Sequence, residues 1–137
     1  MADINPTVAS VKPGTNAQTQ RVTLGATVTQ GMCVYLDTSD NEYKIADCTT
    51  SPTTAAVVGI ALSAGADGQP GVIQTDGYVT FGADLTANTI YVLSTGGMLA
   101  PAADFSAVTD YLTVVGCAVS TTSLKLGINA TGSGKTG

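Results

Sequence analysis

Apolar residues along this chain fall into short runs, each bounded by clusters of Gly, Pro, Asp, Asn, Ser and Thr. Nowhere do they recur at helical spacing over the length of a helix, so the pattern predicts strands throughout. Arg21-Val22-Thr23-Leu24 alternates as a strand does and is broken by Gly25-Ala26 and Thr29-Gln30-Gly31. Cys33 to Leu36 predicts the next strand, and Tyr43 to Ile45 its return across the polar turn Thr38-Ser39-Asp40-Asn41. Ala55 to Ser63 is the longest apolar run of the first half, expected to be buried on both faces or nearly so. Val72 to Thr75 and Tyr78 to Phe81 flank Asp76-Gly77, a pair suited to a tight hairpin turn.

The chain then repeats itself. Val57-Val58-Gly59-Ile60-Ala61-Leu62 is echoed by Val114-Val115-Gly116-Cys117-Ala118-Val119, at a spacing of 57 residues. The same spacing sets Cys33-Val34-Tyr35-Leu36 against Ile90-Tyr91-Val92-Leu93, and it drifts only in the last loop, before Leu124 to Ile128. The second hairpin turns at Ser94-Thr95-Gly96-Gly97, and one helical turn is expected around Ala102 to Phe105. A glycine in mid-strand weakens it unless a bulge or a close backbone approach requires it, and Gly116 recurring where Gly59 stands favours such a need. The fold predicted is all-β, a sandwich or barrel of about ten short strands built from an internal duplication. Two similar modules, at about 31–82 and 88–130 within a domain spanning 20–130, are expected around an approximate two-fold.

Residues 1–19 read as an extended N-terminal arm, polar and punctuated by Pro6, Pro13-Gly14 and Asn16. Either it frays, or it orders by adding to the sheet edge of a neighbour. Ile4, Val8 and Val11 are its large aliphatics, and Arg21 lies at its root. Their apolarity on a terminus makes these the candidate contact residues. Residues 131–137 are expected to be a flexible Gly/Ser/Thr tail.

Composition narrows the chemistry. At 137 residues the chain is long enough for a real core, and only 11% of it is charged, with a net charge of −5. The five cations are scattered singly and aromatic platforms are missing, which argues against nucleic acid. No cationic region followed by an apolar stretch opens the chain, and no apolar run is long enough to span a membrane. The expectation is a soluble chain made in a cytosol, with no membrane partner. Three cysteines, Cys33, Cys48 and Cys117, are read as buried free thiols, and without histidine no zinc or metal site is implied. Asn129 to Thr136 is a poor imitation of a phosphate loop, since Asn129 stands where Gly is needed and no helix follows. The acids fall mostly in turns, where Asp caps backbone amides. Asp37, Asp40 and Glu42 lack the spacing of a calcium loop. Nucleophilic catalysis lacks a histidine base. No catalytic residue or cofactor is predicted, and the chain is not expected to be an enzyme.

Val-Tyr-Leu-Asp from Val34, a polar hairpin, Ala46-Asp47, Val57 to Leu62, Gly68-Gln69-Pro70 and Val72 to Gly77 together resemble the decoration, or cement, proteins of tailed-bacteriophage capsids. The likeness covers Gly31 to Gly132. It implies a viral structural protein that binds the exterior of a shell of HK97-type capsid subunits and stabilises it against internal pressure. It also implies a homo-oligomer, with a trimer favoured, located on the virion and assembled in the bacterial cytoplasm. The alternative is a carbohydrate- or receptor-binding β-module of a head fibre or tail accessory protein. Sugar platforms usually expose Trp or Tyr, whereas this chain has no Trp and its tyrosines sit mostly in strand patterns.

Overall fold

The computed structural model describes residues 11–81, 85–104 and 111–134, with backbone alone for 104 and 131–134. Eleven strands follow in order: β1 (Val11–Pro13), β2 (Gln18–Thr23), β3 (Cys33–Asp37), β4 (Glu42–Ile45), β5 (Val57–Ala61), β6 (Pro70–Asp76), β7 (Tyr78–Phe81), β8 (Thr89–Leu93), β9 (Leu99–Pro101), β10 (Tyr111–Ala118) and β11 (Ser123–Gly134). The helical segments among the described residues are two single 3-10 turns, at Thr95–Gly97 and Ala102–Asp104. The chain is an all-β sandwich of two antiparallel sheets. Sheet A has the order β1-β7-β11-β10-β8-β9, and sheet B the order β2-β6-β5-β3-β4.

The duplication in sequence is a duplication in topology. The order β2-β6-β5-β3-β4 of sheet B is the order β7-β11-β10-β8-β9 of sheet A, with β1 added at one edge. Register repeats as well. Cys33 pairs with Ile60 and Val34 with Gly59, while Ile90 pairs with Cys117 and Tyr91 with Gly116. Both copies carry a register shift at the glycine. A Cβ on Gly59 would lie 2.8 Å from the Gln74 carbonyl oxygen, and one on Gly116 would overlap the Lys125 carbonyl oxygen. Each glycine therefore serves both a bulge and a close backbone approach.

The expected two-fold does not hold. Opposed residues of an antiparallel pair share a face, so each repeat has one face marked by Cys33/Ile60 or Ile90/Cys117, and another by Val34/Ala61 or Tyr91/Ala118. A two-fold would bury the same face of both repeats. Instead Cys33, Val57 and Ile60 of sheet B share the main cluster with Val79, Tyr91, Ala118 and Leu124 of sheet A. The repeats are stacked front to back. The remaining face of sheet B has its own cluster, Val22, Val34, Ala61 and Ile73 closed over by Leu24 and Val28. Leu24 bridges to Tyr43 and Val28 to Gly65, which brings the two edge strands β2 and β4 together at one end.

Three local expectations are also corrected. Asp76-Gly77 is not a hairpin turn, because β6 belongs to sheet B and β7 to sheet A. It is a corner, and the segment between β1 and β2 crosses beside it, with the Tyr78 amide donating to the Thr15 carbonyl and the Gly14 amide to the Tyr78 carbonyl. Gly77 needs its φ of +87° there, and a Cβ would overlap Asn16. The arm expected over 1–19 is strand in its later part, since β1 pairs with β7 and β2 with β6. Residues 1–10 lie outside the described residues. The tail expected from residue 131 is still strand as far as Gly134, which pairs with Tyr111.

Candidate interaction surface

The four residues expected to make contacts are not brought together. Ile4 and Val8 lie outside the described residues. Val11 is a correction: it sits opposite Phe81 with 5% of its surface exposed, and packs in the main cluster. Its apolarity is accounted for within its own chain. Arg21 is exposed on β2 opposite Val72, on the other sheet, where it lines a shallow depression of about 260 Å³ with Ser63 and Pro70.

Among the described residues the most exposed large apolar side chains lie elsewhere, with Val58 on β5 less exposed at 36%. On the outer face of sheet A, Ile90 is 50% and Val119 49% exposed. Cys117 is exposed between them, a correction to the buried thiol expected there. It pairs with Ile90 on one side and Lys125 on the other, so Lys125, Cys117 and Ile90 form one row across β11, β10 and β8. With Val114 they line an open depression of about 260 Å³. Val92 and Ala100, farther along the sheet, are covered.

Comparison of the two repeats gives this surface its meaning. Fifty-seven residues earlier, Ile90, Cys117 and Val119 become Cys33, Ile60 and Leu62. Cys33 and Ile60 are fully buried in the main cluster, and Leu62 packs against it. Lys125, opposite Cys117, holds the place that Gln74 holds opposite Ile60. Gln74 is buried too, donating from Nε2 to the carbonyls of Asp76 and Tyr78. One repeat covers this face with the other repeat, and the second leaves the part around Ile90, Cys117 and Val119 exposed.

Several of the charged groups are organised for structure. Lys44 Nζ lies 2.7 Å from Asp37 Oδ2 and 3.0 Å from Asp40 Oδ2, so an ammonium fills the centre of the acidic cluster. Hydrogen bonds from Lys44, then from Ser39, hold the Asp37 carboxyl well below the usual range, and Asp37 in turn raises the Lys44 ammonium. Asp47 is pushed upward by burial, but bonds from the Thr49 hydroxyl and amide and the Gly96 amide outweigh this and lower it. Asp40 and Asp76 likewise accept from the backbone amides of Glu42 and Gly77. This is the turn chemistry expected of them. Burial pushes the Cys33 thiol up to about 12, which makes it an inert packing group. Tyr91 is buried, and Tyr35, Tyr43, Tyr78 and Tyr111 are half-buried. Among the described residues no cluster of acids and thiols could hold a metal ion, and no helix is long and apolar enough to cross a membrane.

No protein-family model matches the chain, and no curated protein matches it. What stands is the class set by the fold: a duplicated, front-to-back β-sandwich that, among the described residues, exposes an apolar patch on the outer face of sheet A.

Proposed function

We propose that the chain is a non-enzymatic structural protein of a tailed-bacteriophage virion. It binds the outer surface of an assembled capsid and, as one of many copies, stabilises the shell against internal pressure. The observation that carries this reading is the bare face around Ile90, Cys117 and Val119, whose counterpart in the same chain is buried under protein. An exposed apolar patch of that kind fits contact with another protein. The resemblance to capsid decoration proteins points the same way, as does a surface with few charges. Many weak contacts repeated over one shell add avidity without a tight individual site. The segment 1–10, with Ile4 and Val8, enters the fold at β1, the edge strand of sheet A, and is the proposed capsid-contacting element together with exposed Arg21.

Co-sedimentation with expanded phage heads stripped of their accessory proteins tests the proposal. The full chain should bind saturably, at a fixed ratio to capsid subunits, and the loaded heads should survive heating better. A chain lacking residues 1–10 keeps every described strand and should bind more weakly. Failure of the full chain to bind such heads removes the capsid from the account. Equal binding by the shortened chain removes its first segment.

A further inference from the structure

The two repeats differ at one sheet edge. In the second, β7 has β11 on one side and β1 on the other, whereas its counterpart in the first, β2, has β6 on one side and ends its sheet. β1 is a short strand of aliphatic, polar and proline residues, and its bonding follows from alternation. The Phe81 amide donates to the Thr122 carbonyl on the β11 side, so Phe81 and Val79 face β11 and Thr80 is left to bond Lys12. Val11 and Pro13 therefore stand at non-bonded positions, where the missing proline amide costs nothing. The Val11 side chain packs with Phe81 in the main cluster. On β2, the Leu24 amide donates to Gln69 on the β6 side, and the Gly25 amide to Tyr43 on the other. By the same alternation, the amides and carbonyls of Thr19 and Arg21 face the outer edge. Tyr43 closes that edge only at Leu24. Ahead of it Thr19, Gln20 and Arg21 are exposed, and Arg21 has no carboxylate partner among the described residues.

We propose that Asp3-Ile4-Asn5 of a neighbouring copy adds to this open edge as an antiparallel strand, with Asp3 opposite Arg21, Ile4 opposite Gln20 and Asn5 opposite Thr19. Ile4-Asn5-Pro6 repeats the aliphatic, polar, proline order of Val11-Lys12-Pro13. In this register Asp3 and Asn5 exchange backbone bonds with Arg21 and Thr19, and Pro6 falls at a non-bonded position, as Pro13 does on β7. Charge agrees, since Asp3 is the acid of segment 1–10 and meets the unpaired guanidinium. Hydropathy agrees as well. Ile4 lands on the face of Gln20 and Val22, where Gln20 bonds the Tyr43 hydroxyl, and extends the cluster that Val22 and Tyr43 share. Two β2 edges cannot pair with one another about Arg21, because that sets like charges opposite. Reach assigns the strand to another molecule. Asn5 leaves the edge toward the crossing at Asn16, whereas Val11 lies at the far end of β1. Within one chain, residues 6–10 would have to retrace residues 11–15 with none left to form the turn. A contact from arm to edge is head-to-tail, and it joins copies into a ring where the rotation closes.

The proposal narrows the contact reading above: Ile4 and Arg21 join copies, while Val8 and the patch around Ile90 are left to the shell. It does not depend on the capsid and is tested with purified full-length chain alone. Sedimentation equilibrium should give a mass above the single-chain 13.6 kDa. Deleting residues 1–5, which removes no described strand, should return it to one chain with an unchanged far-ultraviolet spectrum. Arg21→Glu, at an exposed position, should do the same, and adding Asp3→Arg should restore the larger mass. Residues of a bonded antiparallel pair lie about 5.5 Å apart at Cα, within the range of a disulfide. With the exposed thiol removed by Cys117→Ser, a chain carrying Asp3→Cys and Arg21→Cys should oxidise to multi-chain products. A single-chain mass at every concentration, a larger mass indifferent to the deletion, no rescue by the reversed charges, or a disulfide closed within one chain would each overturn the proposal. Assembly without capsid binding would leave it standing while refuting the capsid reading.

Discussion

Gly59 and Gly116 show what one residue decides in this fold. Each lies at a register shift in the central strand of its repeat, with the carbonyl of the neighbouring strand where a side chain would go. Gly116 has the closer approach, onto the Lys125 carbonyl, and a backbone atom has no rotamer with which to move aside. Gly116→Ala should cost about 1–3 kcal/mol, the usual range for overpacking a close-fitted site. Chemical denaturation measures it, and a substitution without effect would mean that β10 and β11 can part at no expense. The glycine was conspicuous in the sequence because it occurs twice in the same company. Val11 was legible only as an apolar residue on a terminus; its burial depends on Phe81, seventy residues away, and no local pattern reveals that. The bare face was missed for a related reason. Ile90 and Cys117 are as apolar as Cys33 and Ile60, so hydropathy cannot tell the covered copy from the bare one. The signal lay one strand over, where the second repeat has Lys125 in place of Gln74.

At the scale of elements, the β3–β4 hairpin is held at its turn by the Lys44 ammonium between Asp37 and Asp40. Asp37 is lowered from 3.8, so its contribution is complete above that pH and is lost as the pH falls through the depressed folded value. Lys44 is raised from 10.5, so its contribution is complete below that pH and is lost as the pH climbs above it. Stability should be level between these limits and fall on both sides. The side chains remain partly accessible, so salt should reduce the effect. Denaturation midpoints at stepped pH check this, and Asp37→Asn should flatten the acid limb. Ten of the eleven described strands were legible from alternation, turn residues and the repeat. β1 was not, since a short edge strand ending in Pro13 offers too little pattern. Asp76-Gly77 read as a hairpin because a corner asks for the same residues. What distinguishes the two is the segment around Asn16 passing alongside, a contact far away in sequence.

For the whole molecule, the main cluster draws on both repeats, although sheet B keeps a second, smaller cluster of its own. The Thr113 hydroxyl, buried on β10, donates to the Ala55 carbonyl just ahead of β5 and ties the repeats again. Calorimetry should show one transition with equal calorimetric and van't Hoff enthalpies. Two separate transitions would mean that the repeats fold independently. Front-to-back stacking also explains how a duplicated chain comes to have unlike ends, one repeat sealed by its own loop and the other bare.

The paired crossing of the chain between sheets has a mechanical consequence. A load applied at residue 10 along the strand reaches β1 first, where the bonds to β7 lie across the direction of pull. They must shear together instead of opening one by one. Behind them the Asn16 segment is braced against Gly77, and beyond that β2 is clamped along β6 over six residues. A tether at this end of the molecule would meet three restraints in series before the core felt the force.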